Sequence, residues 1–443
     1  MYCKTMGIKK VKTFLMRKPF FRHVLVLVTG TTLAQLLAVA ASPILTRLYS
    51  PEEFGLLTVY TAVLYIFALM GTLQYENAIP LPEDEESAAG LLALSFLILL
   101  GMCLLSGVFL WAGRDFLAEA LGVSELAGFL LLIPFSLLGV GTFNILDRWC
   151  VRRKTFQEIA RLKVIQGAGM IGTMVGVGTL HQGPVGLFLG DVVGRLMGSG
   201  RLTYRTIRKE SPLLRKVTGQ GIKQAAVRFR KFPQLSVGSA FIRELCEQMP
   251  ALVLSMAYGP WVVGLFMLVQ RILGMPLSLI GYSVSSVYMA QAADYLQEDN
   301  KAEEVLKLFW QTQKHLLLVS FPFLAFLFLF SGKLFPFVFG SQWGEAAVYL
   351  QILCPMYLFQ FLSIPVSTTL YVFERQDLQL IREIIRGGLL FTSMVLIITA
   401  DLPAVYAFGL LSASGTVSFL GYGFASWLAI KQNRSRTVEH VTT

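Results

Sequence analysis

Tyr49-Ser50-Pro51 with Gly55-Leu56 beyond it, and Tyr258-Gly259-Pro260 with Gly264-Leu265 beyond it, are one pattern written twice in this chain. In both copies the glycine follows the proline by four residues, and each copy lies between two long apolar segments. The first copy stands near the N-terminus and the second just after the most basic stretch, so the chain reads as two related halves. Helical membrane transporters are often built from such repeats. Glycine and proline also collect at turns between membrane helices without any duplication. The matching place of the two copies in their halves is what favours a repeat.

Hydrophobic residues make up 55% of the 443 and charged residues only 15%, with a mean hydropathy of +0.62. A water-soluble chain of this length could not hide so much apolar surface in a core. The composition therefore predicts an all-α polytopic membrane protein. Cys3, Cys103, Cys150, Cys246 and Cys354 are scattered without CxxC spacing, and none is expected in an external loop. That argues against disulfides and against a structural metal.

About twelve apolar segments approach the ~20 residues that cross a bilayer. They run from Val24 to Leu45, Phe54 to Ile79, Ala88 to Ala112, Leu126 to Leu146, Val164 to Leu180 and Val185 to Ser199, then Pro233 to Ala257, Trp261 to Ala290, Leu316 to Phe330, Ala346 to Phe373, Gly387 to Ala400 and Pro403 to Ile430. The expected halves are 1–200 and 233–443. The basic stretch 201–232 joins them as a linker, read as an amphipathic segment on the inner leaflet or, alternatively, as a docking site for partners that make or deliver a substrate.

Charge orients the set. With the N-terminus inside, most of the 38 Lys and Arg fall in internal segments, among them Lys9, Lys10, Lys12, Arg17, Lys18, Arg148, Arg152, Arg153 and Lys154. The external loops keep Arg47, Arg114 and Lys333. Since an error of one span would invert every later loop, an even number of spans with both termini in the cytoplasm is expected. The net charge of +11 then follows from topology, and no nucleic-acid motif accompanies it. The basic start, the apolar run and Ala38-Val39-Ala40 resemble a cleavable signal peptide, but the run continues to Leu45, so a retained span is expected.

External loops are too short to fold as domains, and no Walker A, HExxH or GxSxG is present, nor a paired-carboxylate cluster that survives the expected topology, since Glu83-Asp84-Glu85-Glu86 reads as a solvated cytoplasmic turn. Polar chemistry inside the membrane is what remains, where a charge costs at least ~2.5 kcal/mol at mid-depth and is expected to face a cavity. Arg243, Glu244 and Glu247 lie in the seventh span, with Arg243 and Glu247 one helical turn apart, as an internal ion pair or as cavity residues. Arg271 lies near mid-depth in the eighth, and Ser278 and Ser285 continue its stripe. Glu76 reads equally as a helix-terminal structural residue and as a cavity residue. Asp191 and Arg195, one turn apart in the sixth span, read as a pair that satisfies itself, and Arg47 as an interfacial anchor.

Ser42-Pro43-Ile44-Leu45-Thr46-Arg47-Leu48-Tyr49-Ser50-Pro51-Glu52-Glu53-Phe54-Gly55, followed by Tyr75-Glu76-Asn77-Ala78-Ile79, resembles the N-terminal signature of the Wzx-type polysaccharide flippases of the multidrug/oligosaccharidyl-lipid/polysaccharide exporter superfamily. The resemblance implies two pseudo-symmetric six-helix bundles around a central cavity. It implies a substrate made of an oligosaccharide repeat unit on a polyprenyl pyrophosphate, moved from the inner to the outer leaflet of a bacterial inner membrane for O-antigen, capsule or exopolysaccharide synthesis. Arg243, Arg271, Glu247, Glu76 and Ser278 are the candidate cavity residues on this reading, and Glu247, Glu244 and Asp191 the candidate ion-coupling carboxylates. No cofactor is expected, and glycosyltransferases and a polymerase are the expected neighbours. The competing reading is a cation-coupled multidrug exporter of the same superfamily, which would favour an acidic and aromatic lining. A membrane glycosyltransferase or polymerase is disfavoured by the missing external carboxylates and long loop.

Overall fold

A computed structural model of the chain describes residues 19–299 and 302–442. Cys3 and the N-terminal Lys9, Lys10, Lys12, Arg17 and Lys18 lie outside the described residues. All regular structure among the described residues is helical. The long helices are α1 (Pro19–Leu48), α2 (Pro51–Met70), α3 (Glu85–Ala120), α4 (Ile133–Arg152), α5 (Phe156–Leu180) and α6 (Val185–Leu214), followed by the short α7 (Gly219–Arg228). Then come α8 (Val237–Val269), α9 (Met275–Asp299), α10 (Ala302–Phe339), α11 (Ala346–Val366), α12 (Gln376–Thr399) and α13 (Ala404–Thr442). Six stretches among the described residues are long and apolar enough to cross a membrane, or seven if a pair bent by 56° near Leu130 counts as one. One of them, Ala240–Leu296, is 57 residues long and by itself holds the expected seventh and eighth spans, since ~20 residues cross once.

The basic stretch is helical rather than open chain: α6 continues to Leu214, and α7 follows after a short turn. The described residues form two compact units, one of residues 19–49 and 56–252 and one of residues 50–55, 253–299 and 302–442. The first turn of α2 thus belongs with the C-terminal unit.

Local chemistry sets the helix starts. Ser50, Pro51 and Glu53 form a reciprocal cap at α2: the Ser50 amide donates to Glu53 Oε2 at 2.8 Å, and the Glu53 amide to Ser50 Oγ at 3.2 Å. Proline occupies the first helical position, where a missing N–H costs nothing. In the second copy of the pattern Gly259, at φ 78° and ψ 179°, breaks α8 before Pro260, a backbone that a side chain would strain. Asp84 caps α3 by accepting from the Ser87 amide at 2.7 Å, and hydrogen bonding from the Ser87 side chain, with that amide second, holds its carboxyl below the usual aspartate range.

In the N-terminal unit α5 and α6 pack through a glycine ladder. Gly190, Gly194 and Gly198 recur every fourth residue, and a Cβ at Gly194 would lie 2.9 Å from the Cα and N of Met170, while one at Gly198 would lie 3.0 Å from the Gln166 Cβ. Small residues at this spacing let backbones approach where hydrophobicity cannot drive association. α5 and α6 are not among the apolar stretches: glycine dilutes the hydropathy of both, and α6 also carries Asp191, Arg195 and Arg201 within its first eighteen residues. In the C-terminal unit hydroxyls tie α13 to α11: Ser412 donates to the Ile352 carbonyl at 2.6 Å, Ser363 to that of Phe419 at 2.7 Å and Ser426 to that of Val366 at 2.9 Å. Tyr349 and Phe408 stack between the same helices at 4.0 Å.

Candidate functional site

The two copies of the repeated pattern meet. A Cβ built at Gly55 would fall inside the Pro260 carbonyl, and one built at Gly264 inside the Pro51 carbonyl. Each glycine therefore clears room for the other copy's proline, a reciprocal arrangement expected of two elements related by a pseudo-twofold axis. The tyrosines that open the copies behave alike. Tyr49 donates to the Met174 carbonyl and Tyr258 to the Leu402 carbonyl, both at 2.6 Å.

Arg271 stands beside this crossing. It lies in a wide π-helical turn, Gln270–Gly274, between α8 and α9, the kind of local unwinding that recurs at functional sites. Its guanidinium sits 5.8 Å from the Phe54 ring centroid, and Phe54 meets the fully buried Trp343 edge-on at 5.6 Å. A cation held against an aromatic face keeps its charge while losing part of its water. Ser278, two turns on, turns its hydroxyl back to the Met275 carbonyl at 3.0 Å, and Ser285 is buried.

Arg243, Glu244 and Glu247 share α8, ahead of the break at Gly259. Arg243 and Glu247 are exposed and Glu244 is half-buried. Glu244 accepts from Gln248 at 2.8 Å.

Glu76 lies beyond α2, which stops at Met70, nine residues before the expected end of the second span. Leu73 and Gln74 adopt positive φ, turning the chain into a 3-10 turn, Tyr75–Ala78. Glu76 is buried there and takes the Thr72 hydroxyl proton in a hydrogen bond. Tyr75, beside it, donates to the Ala226 carbonyl of α7 at 3.1 Å.

Asp191 and Arg195 meet as an ion pair at 2.7 Å within α6. Both Asp191 oxygens also accept from Arg195 Nε at 2.8 Å, and Ser136 donates to Asp191 at 2.8 Å while Tyr60 donates to Ser136. Arg195 lies over the Tyr65 ring at 5.4 Å. The chain from Tyr60 to Arg195 joins α2, α4 and α6 by buried, satisfied groups, an arrangement that fixes packing.

Sequence reading missed Arg382. The eleventh span was expected to start at Gly387, yet α12 starts at Gln376 and takes Arg382 into the protein, 4% exposed, against the Tyr422 ring and paired with Glu383. The apolar residues Leu378, Leu380, Ile381, Ile384 and Ile385 ahead of Gly387 carried the signal.

The family model described as polysaccharide biosynthesis protein matches residues 44–348. The chain belongs to this family. The chain is 24% identical over 315 residues, 70% of its length, to the succinoglycan biosynthesis transport protein ExoT of Rhizobium meliloti (strain 1021). It is 23% identical over 344 residues, 76% of its length, to the lipopolysaccharide biosynthesis protein WzxC of Escherichia coli (strain K12). The alignments span 60% and 66% of those relatives. Among solved structures, an inward-facing multidrug resistance MATE family transporter of the MOP superfamily superposes with a TM-score of 0.72 at 15% identity, covering 93% of this chain and 99% of that one. The lipid II flippase MurJ in an inward closed conformation gives a TM-score of 0.69 at 14% identity, covering 94% and 93%. The fold is therefore that of the twelve-helix MATE and MurJ transporters, and the chain is a multi-pass membrane protein.

Proposed function

We propose that this protein is a flippase that carries oligosaccharide repeat units on a polyprenyl pyrophosphate from the inner to the outer leaflet of the bacterial inner membrane, with both termini in the cytoplasm. The observation that carries the reading is the polysaccharide biosynthesis family match over residues 44–348, and the MurJ-like fold is consistent with it. Sugar hydroxyls and a pyrophosphate cannot cross hydrocarbon cheaply, so transport needs a wet, cationic path while the prenyl tail stays in lipid. Arg271, held against Phe54 in a widened turn, is the cation we assign to the pyrophosphate, and the exposed Arg243 is a separate cation proposed for the transport path. Transport is by alternating access.

The test is a strain lacking the protein, in which the amount and sidedness of lipid-linked glycan are measured with surface polysaccharide. Complete repeat units should accumulate on the cytoplasmic side while surface glycan is lost. Normal lipid-linked intermediates and normal surface glycan in a strain without a second flippase would sink the reading and favour a drug exporter.

A further inference from the structure

Where α5 begins and the apolar part of α6 ends, the two helices and α1 enclose a cavity of about 640 Å³. Its aliphatic lining includes Leu33, Leu162, Val164 and Ile165, and its charged lining is Glu158, Arg161, Arg201 and Arg205. Arg205 Nη1 donates to both Glu158 oxygens at 2.9 and 2.8 Å, while Arg161 Nη1 lies 3.7 Å from the same carboxylate. One carboxylate thus serves two guanidiniums, and Arg201 stands exposed one turn before Arg205. Three cations against one anion leave the rim with a net charge of +2. The cations are within reach of a ligand, because the side chains of Arg161 and Arg205 are 67% and 54% exposed.

This lining selects an amphiphile. An acyl chain would lie along Leu33 and Ile165, and guanidinium forks match the geometry of phosphate oxygens. The lining has no aromatic face on which a sugar could stack, and a free phosphate would use the charged lining and leave the aliphatic lining empty. The position also fits, since the apolar run of α6 gives way at Arg201 to the basic sequence that includes Arg205, Arg208 and Lys209, as at a membrane boundary.

We propose that the cavity between α1, α5 and α6 binds the phosphodiester headgroup of an anionic membrane phospholipid, and that this lipid is distinct from the transported substrate. Purified full-length protein in neutral detergent is titrated with phosphatidylglycerol or with phosphatidylcholine, reading binding and the thermal unfolding midpoint. Phosphatidylglycerol should bind saturably and raise the midpoint, and phosphatidylcholine should not. Arg201→Gln should weaken binding about fivefold, the loss of roughly 1 kcal/mol expected for one cation at an anionic lipid surface, and Arg161→Gln with Arg201→Gln and Arg205→Gln should remove saturation. Arg208→Gln with Lys209→Gln, a neighbouring pair on α6, should bind as the parent does.

Equal weakening by that neighbouring pair would overturn the proposal in favour of diffuse surface charge. The same midpoint shift from inorganic phosphate, or competition by polyprenyl phosphate at lower concentration than phosphatidylglycerol, would overturn it in favour of a free anion or of the carrier lipid. Arg201 is exposed and outside the Glu158 pairs, so its substitution reads the site without unfolding the helix. None of these outcomes depends on whether glycan is transported.

Discussion

Arg271 combines three properties that packing alone does not require: a full positive charge, a place in a widened turn, and an aromatic partner 5.8 Å away that comes from the first copy of the repeat. A charge deep in a membrane protein is costly and marks a functional site by default, and on the flippase reading the group it meets is the pyrophosphate. Arg271→Ala should therefore abolish accumulation of surface polysaccharide while the protein stays at parental abundance in the membrane. Arg271→Lys should keep part of the activity, because attraction to a pyrophosphate needs the cation more than the planar fork. Full activity in Arg271→Ala, with abundance measured in the same cells, would remove the residue from the mechanism. Asp191 is the contrasting residue. The sequence reads it both as half of a self-satisfied pair with Arg195 and as an ion-coupling carboxylate; its oxygens are engaged by Arg195 and Ser136, so its geometry supports positioning of α2, α4 and α6 rather than exchange of an ion.

At the scale of elements, the reciprocal fit of Gly55 with Pro260 and Gly264 with Pro51 makes a specific claim about energies. Either Cβ must push the two helix starts apart, and overpacking of this kind costs about 1–3 kcal/mol. Once apart, the second methyl finds room. Gly55→Ala and Gly264→Ala should each lower the unfolding midpoint in detergent, and the double variant should lose less than the sum of the two. Strict additivity would mean that the crossings act independently. The repeat itself was legible in the sequence because glycine and proline mark backbone geometry directly. Element ends were less so. α2 stops at Met70 because Leu73 and Gln74 turn through positive φ, a conformation neither side chain advertises, and Glu76 leaves the helix with it. Arg382 escaped notice for the opposite reason: Asp377, Arg382, Glu383 and Arg386 interrupt the hydropathy of α12 but not the helix, and the ring of Tyr422 that shields Arg382 is 40 residues away. The glycine ladder of α6 was readable as small residues every fourth position, though its partner Met170 was not.

For the whole molecule, the open quantity is what drives a polar head group across. On the flippase reading proposed above, the candidate drivers are an ion gradient, the membrane potential and removal of product outside. A carboxylate can couple to protons or sodium only if solvent reaches it on each side in turn. By that criterion Glu247, exposed on α8 one helical turn from Arg243, is a better candidate than the sequestered Asp191. In proteoliposomes that report movement of a polyprenyl-pyrophosphate glycan, an imposed proton or sodium gradient should raise the initial rate. Glu247→Gln should bring that rate down to the ungraded level without changing downhill equilibration, because an uncharged side chain can still pass substrate but cannot exchange a proton or hold sodium. A rate indifferent to both gradients and to Glu247→Gln would remove ion coupling through Glu247 and leave the membrane potential or consumption of glycan at the outer face as the driving force, with Arg243 and Arg271 left with binding alone.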